Sequence, residues 1–455
     1  MTGSPYRLRS PSSTRSSRMG VLRTVGVVLF YPIFGLVFAL VWLGCLFDRL
    51  IPLPLPFPRN PAALAKRQAW CVAELTRSGA LPQGAIITRY EVREFKQAEV
   101  FRSAVARVMV DYTDNGAPRS FACIAKFAIE GGSLGTIVIS ILQRNARNEV
   151  AIYATYGRAA SGEKGPAVGP LRAYYAKAAG PAGNFLLLLE EVDNGIEFDE
   201  EASAPIAQAR DVARMYAHFH ATHWQPGNLR PPKVPVHIAD FAIDFMCSLA
   251  LGRKRKVLRH LARASWHYGN RPQTIVHGDA RIGNVMFRAD ASGAPVEPQL
   301  IDWQAPRWAI GVYDLAYFIT LSLTPATRDA HADELLRIYH DELVAKGVTG
   351  YDYAALYEDY LHSLVLVGTI LVVPLLGGEV TVNAANEARV TTGGLVWHDR
   401  LVHMLATFDT AWLEQRYGVD AKTLAETVEW TSRHPPFLNR GACLVARALE
   451  RSAQS

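Results

Sequence analysis

The sequence has few cysteines, and they lie far apart. The 455 residues contain five, none of them arranged as C-x-x-C: Cys45, Cys71, Cys123, Cys247 and Cys443. An odd number of scattered cysteines does not form a disulfide framework, and it lacks the ligand spacing of a zinc site. The pattern therefore favours a protein of a reducing compartment.

The main part of the chain also lacks a charge excess. The net charge is +6, but residues 1–23 contain five arginines and no acidic residue, so the remainder carries only +1. Domains that bind nucleic acid usually carry a concentrated basic surface, so the sequence indicates no nucleic-acid partner. No protein partner is indicated either. We interpret residues 1–23 as a disordered basic tail, a composition that favours contact with anionic lipid.

Residues 24–47 contain no charged side chain at all. Roughly 20 apolar residues cross a bilayer, so this run predicts a retained N-terminal membrane-anchor helix rather than a buried soluble helix or a cleaved signal peptide. Pro32 leaves two topologies open, a straight span and a re-entrant hairpin. Residues 48–61 follow as a proline-rich linker, because the alternating prolines of "IPLPLPFPRNP" exclude a helix and favour an extended spacer.

Residues 62–192 have the pattern of a sheet-rich lobe. "AIITRYEVREF", "AVARVMVDY" and "RSFACIAKFA" predict three strands, with "TDNGAP" as a turn between the second and the third. Lys126 lies in the last of these apolar strands, and the next predicted helix carries Glu149 near its start. A Lys126–Glu149 pair would hold the ammonium group over two phosphates, whereas the alternative is an edge lysine in solvent.

The strand "NFLLLLEEV" ends this lobe at Glu191 and Val192. A buried strand that ends in acids at a lobe boundary suits a hinge whose backbone hydrogen-bonds an adenine edge, although a plain core strand has the same pattern. We therefore assign Glu191 and Val192 to nucleotide binding. The acids continue to Glu201 in "EEVDNGIEFDEE", which we interpret as a solvated acidic loop rather than as a pocket for a polycation.

Residues 193–455 are mainly helical in pattern, and a polar motif interrupts them. In "HGDARIGN", Asp279 and Asn284 lie between two apolar runs, and Asp302 stands alone in "LIDWQ" after a predicted hairpin. Phosphoryl transfer needs a base for the attacking hydroxyl and metal ions on the phosphates, and Mg²⁺ prefers oxygen ligands. The set predicts Asp279 as the catalytic base and Asn284 with Asp302 as the metal ligands.

These motifs resemble a known family. "HGDARIGNVMF", "LIDWQ", "GVYDLAYF" and "YAHFHATHW", with "SAVARVMVDY" and "IAKF" upstream, are similar to the aminoglycoside phosphotransferase and choline kinase superfamily, and most closely to its ecdysteroid kinase-like branch. The resemblance implies an α+β, bilobal, protein-kinase-like fold, with a small antiparallel sheet in the N-lobe and a larger, mainly helical C-lobe. It also implies that Ser103 contacts the phosphates, that Lys126 and Glu149 orient ATP, and that Asp314 braces the catalytic loop.

The chain departs from the protein-kinase pattern between its first two strands. "KQAEVFRSA" contains no glycine, whereas a glycine-rich loop lets backbone amides approach phosphate in protein kinases. No activation segment is recognisable after Asp302, which disfavours a protein kinase.

We therefore predict a small-molecule kinase that uses ATP and Mg²⁺ on the hydroxyl of an alcohol, for which the membrane segment suggests a lipophilic molecule. The alternative is a membrane-tethered kinase-like binding module without turnover. The cytoplasm supplies ATP. We therefore expect the protein to be membrane-associated, with its catalytic lobes in the cytoplasm.

Overall fold

The computed structural model describes the greater part of the chain. The described residues are 36, 39–48, 54–95, 103–128, 145–157, 169–180, 183–225, 271–372, 380–382, 388–390 and 393–433. Residues 96–102 of the glycine-free segment, and most of the predicted membrane segment, lie outside them.

The amino-terminal lobe is built on a five-stranded antiparallel sheet in the order β1-β2-β3-β5-β4. Its strands are β1 (Ile86–Glu94), β2 (Ser103–Asp114), β3 (Ala117–Ala128), β4 (Ala173–Ala179) and β5 (Asn184–Glu190). The three predicted strands and the buried strand "NFLLLL" are thereby confirmed. Asn115 and Gly116 connect β2 to β3 with φ angles of 48° and 81°, the left-handed backbone that a tight two-residue hairpin requires.

The two faces of this sheet have different roles. Directly paired residues of neighbouring strands share a face, and successive residues alternate between faces. On one face, the paired residues Val108 and Cys123 are buried beneath helices α2 (Pro61–Ala65) and α3 (Gln68–Arg77). On the other face, Val105 is paired with Lys126. The apolar alternation therefore decides which face carries the lysine.

A helix packs on the face that carries Lys126. This helix, α4 (Asn145–Tyr156), buries Ile152 and Tyr153 in a core that also includes Leu187 of β5. It is the helix predicted from "ARNEVAIYATYG", and it places Glu149 beneath the sheet.

The carboxy-terminal lobe is mainly helical, as predicted. Its helices are α5 (Ile206–Thr222), α6 (Val312–Ser322), α7 (Pro325–Ala345), α8 (Tyr353–Val372), α9 (Gly393–Ala406), α10 (Thr410–Tyr417) and α11 (Ala421–Arg433). The short strands β6 (Thr274–Val276), β7 (Val285–Ala289), β8 (Pro295–Leu300), β9 (Arg307–Ala309), β10 (Val380–Val382) and β11 (Ala388–Val390) form the antiparallel pairs β6–β9, β7–β8 and β10–β11.

Helix α6 lies at the centre of this lobe. All 11 of its residues are buried. A helix that is apolar around most of its circumference has to be enclosed by other elements, and α6 packs against α7, α8 and α9. Its position brings the polar side chain of Asp314 and the hydroxyl of Tyr317 into the interior.

The segment before the sheet is joined to the amino-terminal lobe. Residues 39–48 form helix α1, and Asp48 at its end accepts hydrogen bonds from Arg59 at 3.0 and 3.1 Å and from Asn184 at 3.2 Å. Phe57, in the predicted linker, is buried in the core of the sheet. Within the described parts of the chain, no helix is long and apolar enough to cross a membrane.

Candidate active site

Lys126 connects three segments at the centre of the site. Its Nζ lies 2.6 Å from Oε1 of Glu149 and 2.7 Å from Oδ1 of Asp302. The side chains of Lys126 and Glu149 are only 11% and 1% exposed. The geometry excludes the alternative of a solvent-exposed edge lysine and brings together the predicted Lys126–Glu149 pair.

The ionisation of these three groups is coupled through their contacts. Burial raises the pKa of Glu149 to about 7, against the opposing charge of Lys126. Burial works to lower the pKa of Lys126, but the carboxylates of Asp302 and Glu149 outweigh it and raise that pKa. The pKa of Asp302 lies below its ordinary value, because Lys126 overcomes the effect of burial. One ammonium group therefore stabilises two carboxylates, and the cluster retains an excess of negative charge when all three are ionised.

Asp279 is held by the side chains around it. Its Oδ1 accepts a hydrogen bond from Tyr317 Oη at 3.1 Å, and its Oδ2 accepts one from Asn284 Nδ2 at 3.0 Å. The same amide nitrogen donates to the Asp279 carbonyl at 2.8 Å. The Asp279 side chain remains 27% exposed. Its carboxylate is thus fixed in orientation and still accessible to the proton of a bound hydroxyl group.

Asp314 braces the backbone of the catalytic loop, in the position that the family resemblance implies. The fully buried carboxylate accepts the N–H of His277 at 2.6 Å and the N–H of Gly278 at 3.0 Å. His220 Nε2 lies 3.2 Å from Asp314, and its Nδ1 lies 2.8 Å from Tyr339 Oη. His220 was not assigned a role from the sequence, and only the packing of α5 against α6 and α7 reveals these partners.

The β7–β8 hairpin delivers Asp302 to the site. Val285 pairs with Leu300, and the N–H of Ile301 donates to the carbonyl of Asn284 at 3.0 Å. Asp302 itself has a φ of 61°, a left-handed conformation that is uncommon outside glycine and that often marks functional positions. The predicted return of Asp302 to the catalytic loop is confirmed.

Asn284 and Asp302 fit a magnesium site in their chemistry. Because Asn284 uses its amide nitrogen on Asp279, its amide oxygen remains as a ligand. No group of three His, Cys, Asp or Glu side chains that could hold a metal occurs in the described ranges. Mg²⁺, however, is commonly held by one or two carboxylates together with substrate phosphates and water. The excess negative charge around Asp302 would also be relieved by a divalent cation.

The remaining residues predicted to bind the nucleotide lie at the start of β2 and directly after β5. Ser103 is buried at the start of β2 and pairs with Ala128, on the sheet face that carries Lys126. Glu191 lies directly after β5, where its carboxylate contacts Arg107 Nε at 2.8 Å. Val192 is buried, and its carbonyl accepts the N–H of Gly195 at 3.1 Å. Their contact with a nucleotide stays a prediction.

The acidic segment after β5 differs from the interpretation of a solvated loop. Glu190 pairs with Arg288 at 2.8 Å, and Glu200 pairs with Arg281 at 2.5 Å. Both acids are only 24% exposed, because these arginines cover them. Arg288 reaches Glu190 from the other lobe, whereas Arg281 and Glu200 both belong to the carboxy-terminal lobe. Arg281 lies within "HGDARIGN" and was not assigned a role, although a cation two residues from the predicted base was a signal in the sequence.

Comparison with known proteins agrees with the resemblance found in the sequence. Residues 253–348 match the family model described as the ecdysteroid kinase-like family. The matched segment contains Asp279, Asn284, Asp302 and Asp314, and the match confirms the family resemblance there. It also supports the prediction that the chain is a small-molecule kinase.

Comparisons with curated proteins and with solved structures give weaker similarities than the family model. No curated protein is significantly similar to this chain. Twelve chains of solved structures match it. One belongs to the structure of a microcompartment-associated aminopropanol kinase, which is 11% identical over 76% of this chain and 97% of that chain, with a TM-score of 0.35. A TM-score of this size does not establish a shared fold.

Proposed function

We propose that this protein is an ATP- and Mg²⁺-dependent kinase that phosphorylates the hydroxyl group of a small molecule. The observation that carries the proposal is a continuous set of contacts across the cleft. Asn284 donates a side-chain hydrogen bond to Asp279, and its carbonyl accepts the N–H of Ile301, the residue before Asp302. Asp302 in turn forms an ion pair with Lys126. A base, a pair of oxygen ligands and a phosphate-binding lysine thus lie side by side.

In this proposal, Asp279 removes the proton of the acceptor hydroxyl. The O–H bond breaks as the oxygen bonds to the terminal phosphorus, and ADP leaves with the electrons of the broken P–O bond. Tyr317 and Asn284 hold the carboxylate, and Asp314 holds the loop that carries it. Lys126, oriented by Glu149, would bind phosphate oxygens.

Asn284 and Asp302 would hold magnesium. When bound, the metal would neutralise charge on the phosphates. Ser103 would contact the phosphates from β2, and the backbone at Glu191 and Val192 would meet the adenine edge.

We further propose that the protein is membrane-associated, with its lobes in the cytoplasm and a lipophilic acceptor. The uncharged run of residues 24–47 supports this, as does the exposed apolar stripe of its described end. Leu40, Leu43 and Phe47 on α1 are 59%, 53% and 53% exposed. Sedimentation of the full chain with vesicles containing anionic lipid would test the attachment, and a chain that stays in the supernatant would contradict it.

The test of the kinase is ADP release by the full chain with Mg²⁺-ATP. The acceptor panel contains sterols, hydroxylated lipids, choline and aminoglycosides, and Asp279→Asn is the control. We expect release with one acceptor class and a loss of about 10² to 10⁴-fold in the control, the usual contribution of a general base. Release that is unchanged in Asp279→Asn would overturn the assignment of the base.

The second candidate is a membrane-tethered kinase-like binding module without turnover. The observation that favours it is the glycine-free segment "KQAEVFRSA". Direct titration of the full chain with Mg²⁺-ATP separates the two functions. A chain that binds no nucleotide, and releases no ADP with any acceptor, would favour the binding module.

A further inference from the structure

Arg281 lies between two carboxylates, one of which is the proposed base. Its Nη1 is 2.5 Å from each carboxylate oxygen of Glu200, whereas its Nε is 3.4 Å from Asp279 Oδ1 and 3.5 Å from Asp279 Oδ2. The guanidinium carbon stands 5.2 Å from the centre of the Trp397 ring. Arg281 therefore makes its close contact with Glu200 and only a long contact with Asp279.

Glu200 is built into this position from two sides. A Cβ on Gly283 would lie 1.5 Å from Glu200 Oε1, so the glycine leaves the space that the carboxylate occupies. Arg400 holds the backbone of the same loop through the carbonyls of Glu200 at 3.0 Å, Glu201 at 2.9 Å and Ala202 at 2.8 Å. A fourth hydrogen bond, from Arg400 to the Leu321 carbonyl, ties the loop to the end of α6.

Glu200, Trp397 and Arg400 lie outside the segment that matches the family model, whereas Arg281 and Gly283 lie within it. The match covers residues 253–348, whereas Glu200 precedes it and helix α9, which carries Trp397 and Arg400, follows it. The arrangement around Arg281 is thus a property of this chain that the family match does not supply.

An arginine beside a catalytic carboxylate poses a physical problem. Arginine and carboxylate tend to form two parallel N–H···O bonds, which stabilise the ionised carboxylate and occupy its lone pairs. A base held in that way accepts a proton poorly. In this structure the guanidinium is instead committed to Glu200.

We propose that Glu200 is a positioning residue that keeps Arg281 from closing on Asp279 as a two-bond ion pair. Arg400 and Gly283 allow Glu200 to do so, and Trp397 supports the guanidinium from its open face. The proposal rests on the role of Asp279 as the base. It adds that helix α9 controls the availability of that base.

The first test compares crystal structures of the full chain and of its Glu200→Gln variant. Glutamine keeps the shape and removes the charge, so we expect Arg281 to move to Asp279 and form two N···O contacts of about 3 Å. Glu197→Gln, an exposed acid of the same loop, is the matched control and leaves Arg281 in place. If Arg281 in Glu200→Gln still contacts Asp279 only through Nε at about 3.4 to 3.5 Å, the proposal is wrong.

The second test is a rescue of turnover. With an acceptor that the panel shows to be phosphorylated, Glu200→Gln is expected to lower the rate of ADP release roughly tenfold, with little change in the KM for Mg²⁺-ATP. Adding Arg281→Gln removes the competing cation, so the double variant should be faster than Glu200→Gln alone. A merely structural role of Glu200 predicts no such rescue, and a double variant that is equal or slower would overturn the proposal.

The two tests separate this inference from the proposed function. Movement of Arg281 in the crystal is measured without turnover. A wild-type chain that releases no ADP would refute the kinase and leave the result of the structural test intact.

Discussion

Asp279 and Lys126 face each other across the site and are held by different kinds of contact. Asp279 receives hydrogen bonds from the neutral groups of Tyr317 and Asn284, both in the carboxy-terminal lobe. Lys126 is held by two charges, one from α4 and one from the β7–β8 hairpin. The base is thus positioned within one lobe, whereas the lysine depends on both lobes. Removing a charge should cost more than removing a hydrogen bond.

The largest expected effect comes from Lys126→Met. The substitution leaves two carboxylates without their cation, and breaking a buried pair in this way lowers the free energy of unfolding by about 3 kcal/mol. Urea unfolding measures the change, and titration with Mg²⁺-ATP should show weakened binding. Lys177→Met, an exposed lysine of the same sheet, is the matched control. A loss no greater than that of the control would mean that the three charges do little to join the lobes.

Asp314→Asn should have the next largest effect. The amide cannot accept both backbone N–H groups as the carboxylate does, so we expect a loss of about 2 kcal/mol in the free energy of unfolding at pH 7. The affinity for Mg²⁺-ATP should change little, because Asp314 holds the backbone next to Asp279 and does not contact the residues proposed to bind the nucleotide. Asp341→Asn, 81% exposed, is the control.

This prediction also has a pH dependence. Burial works to raise the pKa of Asp314, but its contacts with His220, His277 and the Gly278 N–H together outweigh burial and hold the pKa below its ordinary value. A carboxyl group with a lowered folded pKa stabilises the fold above its unfolded pKa, and this contribution is lost as the pH falls through the folded value. The difference between wild type and Asp314→Asn should therefore shrink below about pH 4. A difference that stays constant down to acid pH would contradict the assignment.

Tyr317→Phe should have a smaller effect. It removes one hydrogen bond to Asp279, worth about 1 kcal/mol, and should lower the rate of ADP release several-fold at unchanged Mg²⁺-ATP affinity. Tyr313→Phe is a control on the same helix, since the Tyr313 ring lies 4.4 Å from the Arg307 guanidinium. Equal rates for the two variants would show that the hydroxyl of Tyr317 does not position the base.

The smallest effect is expected for Arg107→Gln at the hinge. The Arg107 side chain is 41% exposed, so water and salt screen its pairing with Glu191. We expect a change of less than about 1 kcal/mol in urea unfolding, and less still at high salt. A loss as large as that of Lys126→Met would remove the distinction between buried and exposed charges in this lobe.

Several features of the site were predictable because they are local. The alternation in "AVARVMVDY" and "RSFACIAKFA" placed Lys126 within a strand, and the turn "TDNGAP" paired that strand with its neighbour. The short loop between Asp279 and Asn284 sets their mutual geometry, and the β7–β8 hairpin fixes where Asp302 returns. In each case the position of the side chain is set by a short stretch of neighbouring residues.

The ion pairs of the acidic segment were not predictable in the same way. Acids in "EEVDNGIEFDEE" have the pattern of a solvated loop, and nothing near them in sequence indicates Arg281 or Arg288 as partners. Burial of Glu190 results from the meeting of the two lobes, whereas Glu200 is covered by Arg281 within the carboxy-terminal lobe. The contacts of His220 with Asp314 and Tyr339 likewise depend on the packing of three helices.

The sequence by itself determined the elements, the catalytic loop and the types of residue available for the chemistry, because periodicity and short spacings act over a few residues. The Lys126–Glu149 pair was predictable, but the further charge pairs of the site follow only from the tertiary structure. Lys126 contacts Asp302 across 176 residues, and Arg281 contacts Glu200 across 81. Such pairs form only when the core around them has packed, since burial brings the side chains together and makes an unpaired charge costly.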